Sequence, residues 1–296
     1  MLKKIILSGL LGASSLLFAD VNAVVSVVPE QTFLKAIGGD KVNVSLMVQP
    51  GSSPHTYEPK PSQMKDISKA DVYFSIGVEF EEAWLPRFAS QNKKMKIIDL
   101  GSGIKKIAMV GHNHHEEGAK PSMKKEVKHE HEHEDGLDPH IWTSVGNIKI
   151  IAKNIYNNLV ALDKTNEKYY KANYDALIAK LGNTDKSIKE ILKNTKPKSK
   201  FMVFHPAWGY FAKEYNLEQL AIEAGGKNPT PKQIAFLIAE AKEEKVKAVF
   251  TAPEFSEKVA SQIAKEVGVP VIKVSPLNPK VCENLISLAK AIANTK

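Results

Sequence analysis

Short apolar runs alternate with amphipathic segments over most of the chain. In the first third, β-branched runs predict strands at 21–28, 42–48, 72–76 and 95–100. Helical spacing fills the intervals, with helices ending near 37 and lying at 62–69 and 80–88. After residue 196, three runs predict strands at 201–204, 246–251 and 269–274, and four segments predict helices at 211–215, 233–244, 258–267 and 284–293. This alternation predicts βα units and mostly parallel sheets.

The middle of the chain has a different periodicity. Ile148, Ile151, Ile155 and Leu159 recur at three- and four-residue intervals, as on the buried face of a helix. The pattern resumes after a break near 163–166. We therefore predict an α/β fold in which two βα lobes are joined by a long rigid helix. Because open α/β sheets bind ligands beyond the carboxyl ends of their strands, the predicted site lies in the cleft between the lobes.

These patterns also give a domain organisation. The predicted N-terminal lobe covers 20–143, the connecting helical region 144–195, and the C-terminal lobe 196–296. Residues 110–136 lack apolar periodicity and are rich in His, Glu and Lys, so we interpret them as a disordered insertion in the first lobe.

The N-terminus has the pattern of a secretory signal. Lys3 and Lys4 precede an apolar run that is too short for a comfortable transmembrane helix. We predict a signal peptide at 1–19, with cleavage after Ala19 or alternatively after Ala23, and a periplasmic mature protein. No cysteine lies near the predicted cut, which favours a soluble protein over a lipoprotein.

Charge and cysteine content narrow the functional classes. The formal charge of +8 falls to +6 (8 − 2) without the two signal lysines, and the remaining lysines are spread rather than clustered. Without a basic stripe or a recognised motif, we expect no nucleic-acid partner. Cys282 is the sole cysteine. An internal disulfide and a multi-cysteine zinc site are therefore excluded, and any metal must be bound by histidines and carboxylates.

The nine histidines fall into two groups. One group lies in the insertion and consists of His112, His114, His115, His129, His131 and His133. His129, His131 and His133 alternate with acidic residues, and the other three precede Glu116 and Glu117. The segment therefore offers many exchangeable ligands, and we expect weaker auxiliary zinc binding there than at a preformed site. The hypothesis is that this segment collects zinc or senses its abundance; the alternative is a solvated segment without function.

The other three histidines, His55, His140 and His205, lie in structured, apolar contexts, each next to a proline. We expect each at the edge of a strand, with Trp142 on the same side of an extended segment as His140. Any one of them alone could be a turn or core histidine. Together they predict a zinc site, because neutral imidazoles are good ligands for Zn²⁺; three histidines with an open position are also compatible with a catalytic zinc.

Four segments carry a family resemblance. They are Ser-Pro-His-Thr-Tyr-Glu-Pro-Lys-Pro-Ser at 53–62, Asp-Pro-His-Ile-Trp at 138–142, Phe-His with Ala-Trp-Gly-Tyr-Phe at 204–211, and Asn-Pro-Thr-Pro-Lys-Gln at 228–233. In this order they resemble the ZnuA-like zinc-binding proteins of bacterial ABC importers, in the cluster A-I solute-binding family. The resemblance implies metal between two lobes, with His55, His140 and His205 as ligands. A histidine at 205 and a His-rich loop are typical of its zinc members rather than its manganese members.

The sequence departs from the family at one position of the implied site. Where the family often has the Asp of an Asp-Pro-Leu triplet, this chain has Ser275. The fourth metal position is therefore open to water, a loop histidine or a carboxylate, for which Glu58 and Glu254 are candidates. Glu254 itself stands in Ala-Pro-Glu, where the family usually has Glu-Pro-Gln.

The combined prediction is a periplasmic zinc-binding protein, not an enzyme. It captures Zn²⁺ and delivers it to the membrane permease of an ABC transporter, and we expect a monomer. The alternatives are a manganese- or iron-binding protein of the same family, a surface adhesin of the same fold, and a zinc hydrolase with Glu58 or Glu254 as general base. No His-Glu-x-x-His motif supports the hydrolase.

Overall fold

Two four-stranded parallel sheets form the framework of the computed structural model, which describes residues 21–109, 136–223 and 228–293. The first sheet has the strand order β2-β1-β3-β4, and the second repeats it as β6-β5-β7-β8. The predicted α/β fold of two parallel-sheet lobes is confirmed. The signal sequence predicted at 1–19 lies outside the described residues, as does nearly all of the predicted insertion. No helix among the described residues is long and apolar enough to span a membrane.

The first lobe is built from three βα units and a final strand. Its elements are β1 (Val21–Val25), α1 (Val28–Gly38), β2 (Val42–Leu46), α2 (Pro61–Lys69), β3 (Val72–Ser75), α3 (Glu79–Gln91) and β4 (Lys96–Asp99). The first strand ends three residues earlier than predicted. The buried Glu30 carboxylate accepts the backbone N–H groups of Ser26 and Val27, and Pro29 begins the helix directly behind them.

A helical region connects the lobes. The short 3₁₀ turn Ile141–Thr143 leads into α4 (Val145–Leu162), and a second one at Lys164–Asn166 precedes α5 (Glu167–Leu192). With 26 residues, α5 is about 39 Å long. It packs against α1 of the first lobe and against the last helix of the second. Because one helix supports both lobes, it limits their relative movement.

The second lobe has the same topology. Its elements are β5 (Lys200–Val203), α6 (Gly209–Glu214), β6 (Glu218–Ala221), α7 (Pro231–Glu243), β7 (Val249–Thr251), α8 (Glu257–Val267), β8 (Val271–Lys273) and α9 (Val281–Ala293). Sequence analysis missed β6, because this edge strand begins with Glu218 and Gln219 and has no apolar run.

The apolar core continues from lobe to lobe. One cluster of buried side chains extends from β1 and β3 through α4 and α5 to α9, and a second fills the outer face of the second sheet against α7 and α8. Along β5, Phe201 and Val203 belong to the first cluster and Met202 to the second, as expected from side-chain alternation in a strand buried on both faces.

The start of α4 offers a test of local stability. The buried Ser144 hydroxyl caps the helix by accepting the Asn147 N–H at 3.1 Å. We expect Ser144→Ala to lower the free energy of unfolding by about 1 kcal/mol, because this N–H then loses its partner. Denaturant unfolding of the metal-free protein measures the change. Ser102→Ala, at an exposed turn position, is the control; an equal loss in both variants would contradict the role of the cap.

Candidate metal centre

Three histidines from distant parts of the chain meet between the lobes. His55 lies in the loop between β2 and α2, His140 directly before the 3₁₀ turn that leads into α4, and His205 two residues after β5. The Nε2 atom of His205 lies 3.4 Å from that of His55 and 3.3 Å from that of His140. All three potential ligand atoms lie within 4.8 Å of one another. Tetrahedral bonds of about 2.0–2.1 Å place neighbouring ligand nitrogens about 3.3–3.4 Å apart, so these two separations fit zinc.

A carboxylate orients each imidazole from behind. Nδ1 of His55 lies 2.8 Å from Glu79 Oε2, and Nδ1 of His140 lies 2.8 Å from Asp138 Oδ1. The third pair is His205 Nδ1 and Glu223 Oε1, at 3.1 Å. A carboxylate accepts, so Nδ1 carries the proton and donates, and each Nε2 presents its lone pair to the others. Three lone pairs directed at one point repel each other unless a cation lies between them.

Burial differs among the three histidines. His140 and His205 are buried, whereas His55 is partly exposed at the mouth of the site. Burial lowers the pKa of His205 below its ordinary value, although the hydrogen bond with Glu223 opposes the shift. His205 is therefore neutral, and ready to bind a metal, to a lower pH than a solvated histidine.

The segment around His140 differs from its prediction. Residues 141–143 form a 3₁₀ turn rather than an extended strand, so His140 is not at a strand edge. Asp138 explains the turn, because its Oδ1 also accepts the His140 backbone N–H at 2.8 Å. Trp142 still contacts His140 edge-on, with ring centroids 5.4 Å apart, and its Nε1–H donates to the Pro276 carbonyl of the second lobe.

Apolar side chains enclose the metal centre. Together with the solvent space at its mouth, the cavity has a volume of about 410 Å³. Besides the three histidines, its lining consists of Pro54, Val78, Glu79, Pro139, Trp142, Glu254, Phe255, Pro276 and Leu277. Phe255 stacks on His205, with ring centroids 4.7 Å apart. Such walls exclude water and strengthen electrostatic interactions inside the cleft.

The loop that carries Glu79 is fixed by a buried acid. Both carboxylate oxygens of Glu81 accept the Ile76 N–H, and one also accepts that of Gly77, at 2.7–3.1 Å. Gly77 has φ +88°, a left-handed conformation that a glycine adopts without strain. This turn brings Val78 and Glu79 from the carboxyl end of β3 to the cavity beside His55.

The other predicted candidates have different positions. Glu58 is exposed and does not line the cavity, whereas Glu254 does line it but is not within ligand distance of the histidine cluster. Their roles as ligands stay predictions. The six histidines of the insertion lie outside the described residues, so their auxiliary role also stays a prediction.

Sequence analysis missed the orienting carboxylates. Asp138 stands two residues before His140, and this spacing was a usable signal. Glu79 and Glu223 are separated from their histidines by 24 and 18 residues, so their pairing depends on the fold. A polar residue after the strand predicted at 72–76 was the available signal for Glu79, whereas Glu223 follows β6, which was not predicted.

Several known proteins resemble the chain. It is 33% identical over 255 residues to the High-affinity zinc uptake system protein ZnuA of Bacillus subtilis, covering 84% of this chain and 76% of that protein. It is 31% identical over 261 residues to the Zinc-binding protein AdcA of Streptococcus pyogenes serotype M3. That match covers 87% of this chain but 50% of AdcA, so the chain spans about half the length of that relative.

Solved structures agree with the fold. A crystal structure of ZnuA superimposes with a TM-score of 0.79 at 38% identity, covering 93% of this chain and 98% of that one. A Cd-bound periplasmic metal binding protein from Candidatus Liberibacter asiaticus gives a TM-score of 0.74 at 23% identity, which shows the fold alone. The profile of the family described as ZnuA, zinc-uptake complex component A, periplasmic, matches residues 23–295. The chain therefore belongs to the ZnuA family.

Proposed function

We propose that this chain captures Zn²⁺ between its lobes, outside the cytoplasm, and delivers it to the membrane permease of an ABC transporter. The convergence of three histidines, with two of the Nε2–Nε2 separations at the spacing of tetrahedral zinc ligands, carries the proposal. Relatives named for zinc binding and zinc uptake support it. The predicted periplasmic location, signal peptide and monomeric state belong to the same proposal.

The donor set favours zinc over manganese. Imidazole nitrogen is a good ligand for zinc, whereas manganese prefers carboxylate and water oxygens. Each of the three nearest carboxylates contacts a histidine Nδ1. They therefore orient the histidines and make them better electron donors to a dication, in the manner of outer partners at zinc sites.

Binding of zinc without catalysis is the function that this arrangement supports best. A hydrolase needs a general base beside the metal-bound water. Glu79, Asp138 and Glu223 are bonded to histidines, and Glu254 accepts a hydrogen bond from Ser275. The exposed Glu58 lies outside the cavity lining.

Competitive titration against a chromophoric chelator tests the proposal. We expect one tight Zn²⁺ per chain, far weaker Mn²⁺ binding, and loss of the tight site when His55, His140 and His205 are all changed to alanine. Unchanged tight zinc binding in the triple variant would place the site elsewhere. Manganese affinity equal to that of zinc would favour the alternative cargo.

Zinc affinity should fall as the pH is lowered. Protons compete with zinc for Nε2, so affinity is expected to decrease between about pH 7.5 and 5.5, around the ordinary histidine pKa of about 6.5. Because burial lowers the pKa of His205, competition at this ligand begins at lower pH than at a free histidine. Titrations across this range, with circular dichroism as a fold control, measure the effect; a pH-independent affinity would argue against histidine ligation.

A further inference from the structure

The fourth coordination position faces a cavity that contains an uncommitted carboxylate. Three histidine ligands would fill three of the four positions of a tetrahedral zinc and leave one open. Two carboxylates belong to the cavity lining, and Glu79 is bonded to His55. Among the described residues, the Ser275 hydroxyl is the hydrogen-bond donor to the Glu254 carboxylate, with its oxygen 2.9 and 3.2 Å from the two carboxylate oxygens.

Glu254 is held close to the metal centre by its neighbour in sequence. Both residues 254 and 255 lie in the loop after β7, at the carboxyl end of the second sheet. The Phe255 ring stacks on His205, which anchors the loop beside one of the ligands. Glutamate has three rotatable side-chain bonds, so its carboxylate can move while this backbone stays in place.

Ser275, in contrast, is firmly fixed. Its hydroxyl oxygen accepts the Leu277 N–H at 3.0 Å, and its carbonyl accepts the Asn284 side-chain amide of α9 at 2.9 Å. The hydroxyl proton is thereby directed at Glu254. A single bond from a neutral hydroxyl is weaker than the attraction between a carboxylate and a dication in an apolar cleft.

We propose that Glu254 is the fourth zinc ligand, and that Ser275 holds its carboxylate aside until the metal enters. The inference rests on the proposed zinc function. It adds a fourth ligand, and a serine hydrogen bond that keeps this ligand away from the metal position in the metal-free protein. Entry of Zn²⁺ replaces the serine hydrogen bond with a metal–oxygen bond. Loss of that metal–oxygen bond, with return of the carboxylate to Ser275, is then the first step of release.

Two variants of the full chain test the two parts of the proposal. Glu254→Gln removes the anionic ligand, and Ser275→Ala removes the hydrogen bond that restrains the Glu254 carboxylate. Glu257→Gln is the matched charge control, because Glu257 begins α8 three residues later, outside the cavity lining. Zn²⁺ affinity is measured by chelator competition, and the ligand set by the visible spectrum of Co²⁺ added at less than one equivalent. Thermal unfolding of the metal-free variants checks their fold.

Glu254→Gln is expected to weaken zinc binding at least about tenfold, the lower limit for losing an outer partner of a metal ligand, and to shift the Co²⁺ bands. Ser275→Ala should bind zinc at least as tightly as the unmodified chain, with an unchanged Co²⁺ spectrum. An unchanged Co²⁺ spectrum in Glu254→Gln, whatever the zinc affinity of this variant, would show that Glu254 is not a ligand and would indicate water at the fourth position. Weaker zinc binding by Ser275→Ala would contradict the proposal that Ser275 holds the Glu254 carboxylate away from the metal position. If the unmodified chain bound no zinc, the proposed function itself would fail, which is a separate result.

Discussion

Zinc binding is expected to weaken at least about a hundredfold in His205→Ala. Outer partners of metal ligands contribute about 10- to 100-fold to affinity, and a direct ligand should exceed that range. His205 is also the central member of the cluster, since its Nε2 is within 3.4 Å of both other Nε2 atoms. The substitution further leaves the buried Glu223 without the imidazole that it contacts. Chelator competition measures the loss.

His129→Ala is the control for His205→Ala. It removes a histidine from the His-rich insertion and should leave the tight site unchanged. Thermal unfolding of the metal-free proteins separates loss of the ligand from loss of the fold. Full affinity in a folded His205→Ala protein would contradict the proposed centre.

Asp138→Asn is expected to weaken zinc binding by about 10- to 100-fold, although Asp138 does not contact the metal position. Its Oδ1 holds both the backbone N–H and the Nδ1–H of His140. A neutral amide accepts these bonds more weakly and no longer favours the electron-rich imidazole that zinc prefers. The amide also places an NH₂ group where the buried Oδ2 has no hydrogen-bond partner among the described residues.

Asp175→Asn is the matched control for Asp138→Asn, because it removes the same charge from an exposed position on α5. Competition titration compares both variants with the unmodified chain. Equal affinity in all three proteins would show that His140 does not depend on Asp138 for its orientation.

The sequence predicted most of the framework because hydrophobic periodicity reflects burial directly. Runs such as 72–76 and 201–204 match β3 and β5 closely, and the break near 163–166 separates α4 from α5. The errors occur where polar contacts decide the outcome. The Glu30 cap shortens β1, Asp138 makes a turn after His140, and β6 forms from polar residues by pairing with β5.

Residue chemistry alone predicted the type and the number of the candidate ligands. A chain with one cysteine and three proline-flanked histidines in structured contexts predicts nitrogen ligation, and its motifs predict the family. Tertiary structure alone decided the geometry of the site. Its contacts join residues from different loops. They are the 3.3–3.4 Å separations between histidine nitrogens, the pairing of Glu79 and Glu223 with distant histidines, and the hydrogen bond between Ser275 and Glu254. Such contacts depend on how two sheets face each other across α5, and local periodicity contains no information about that arrangement.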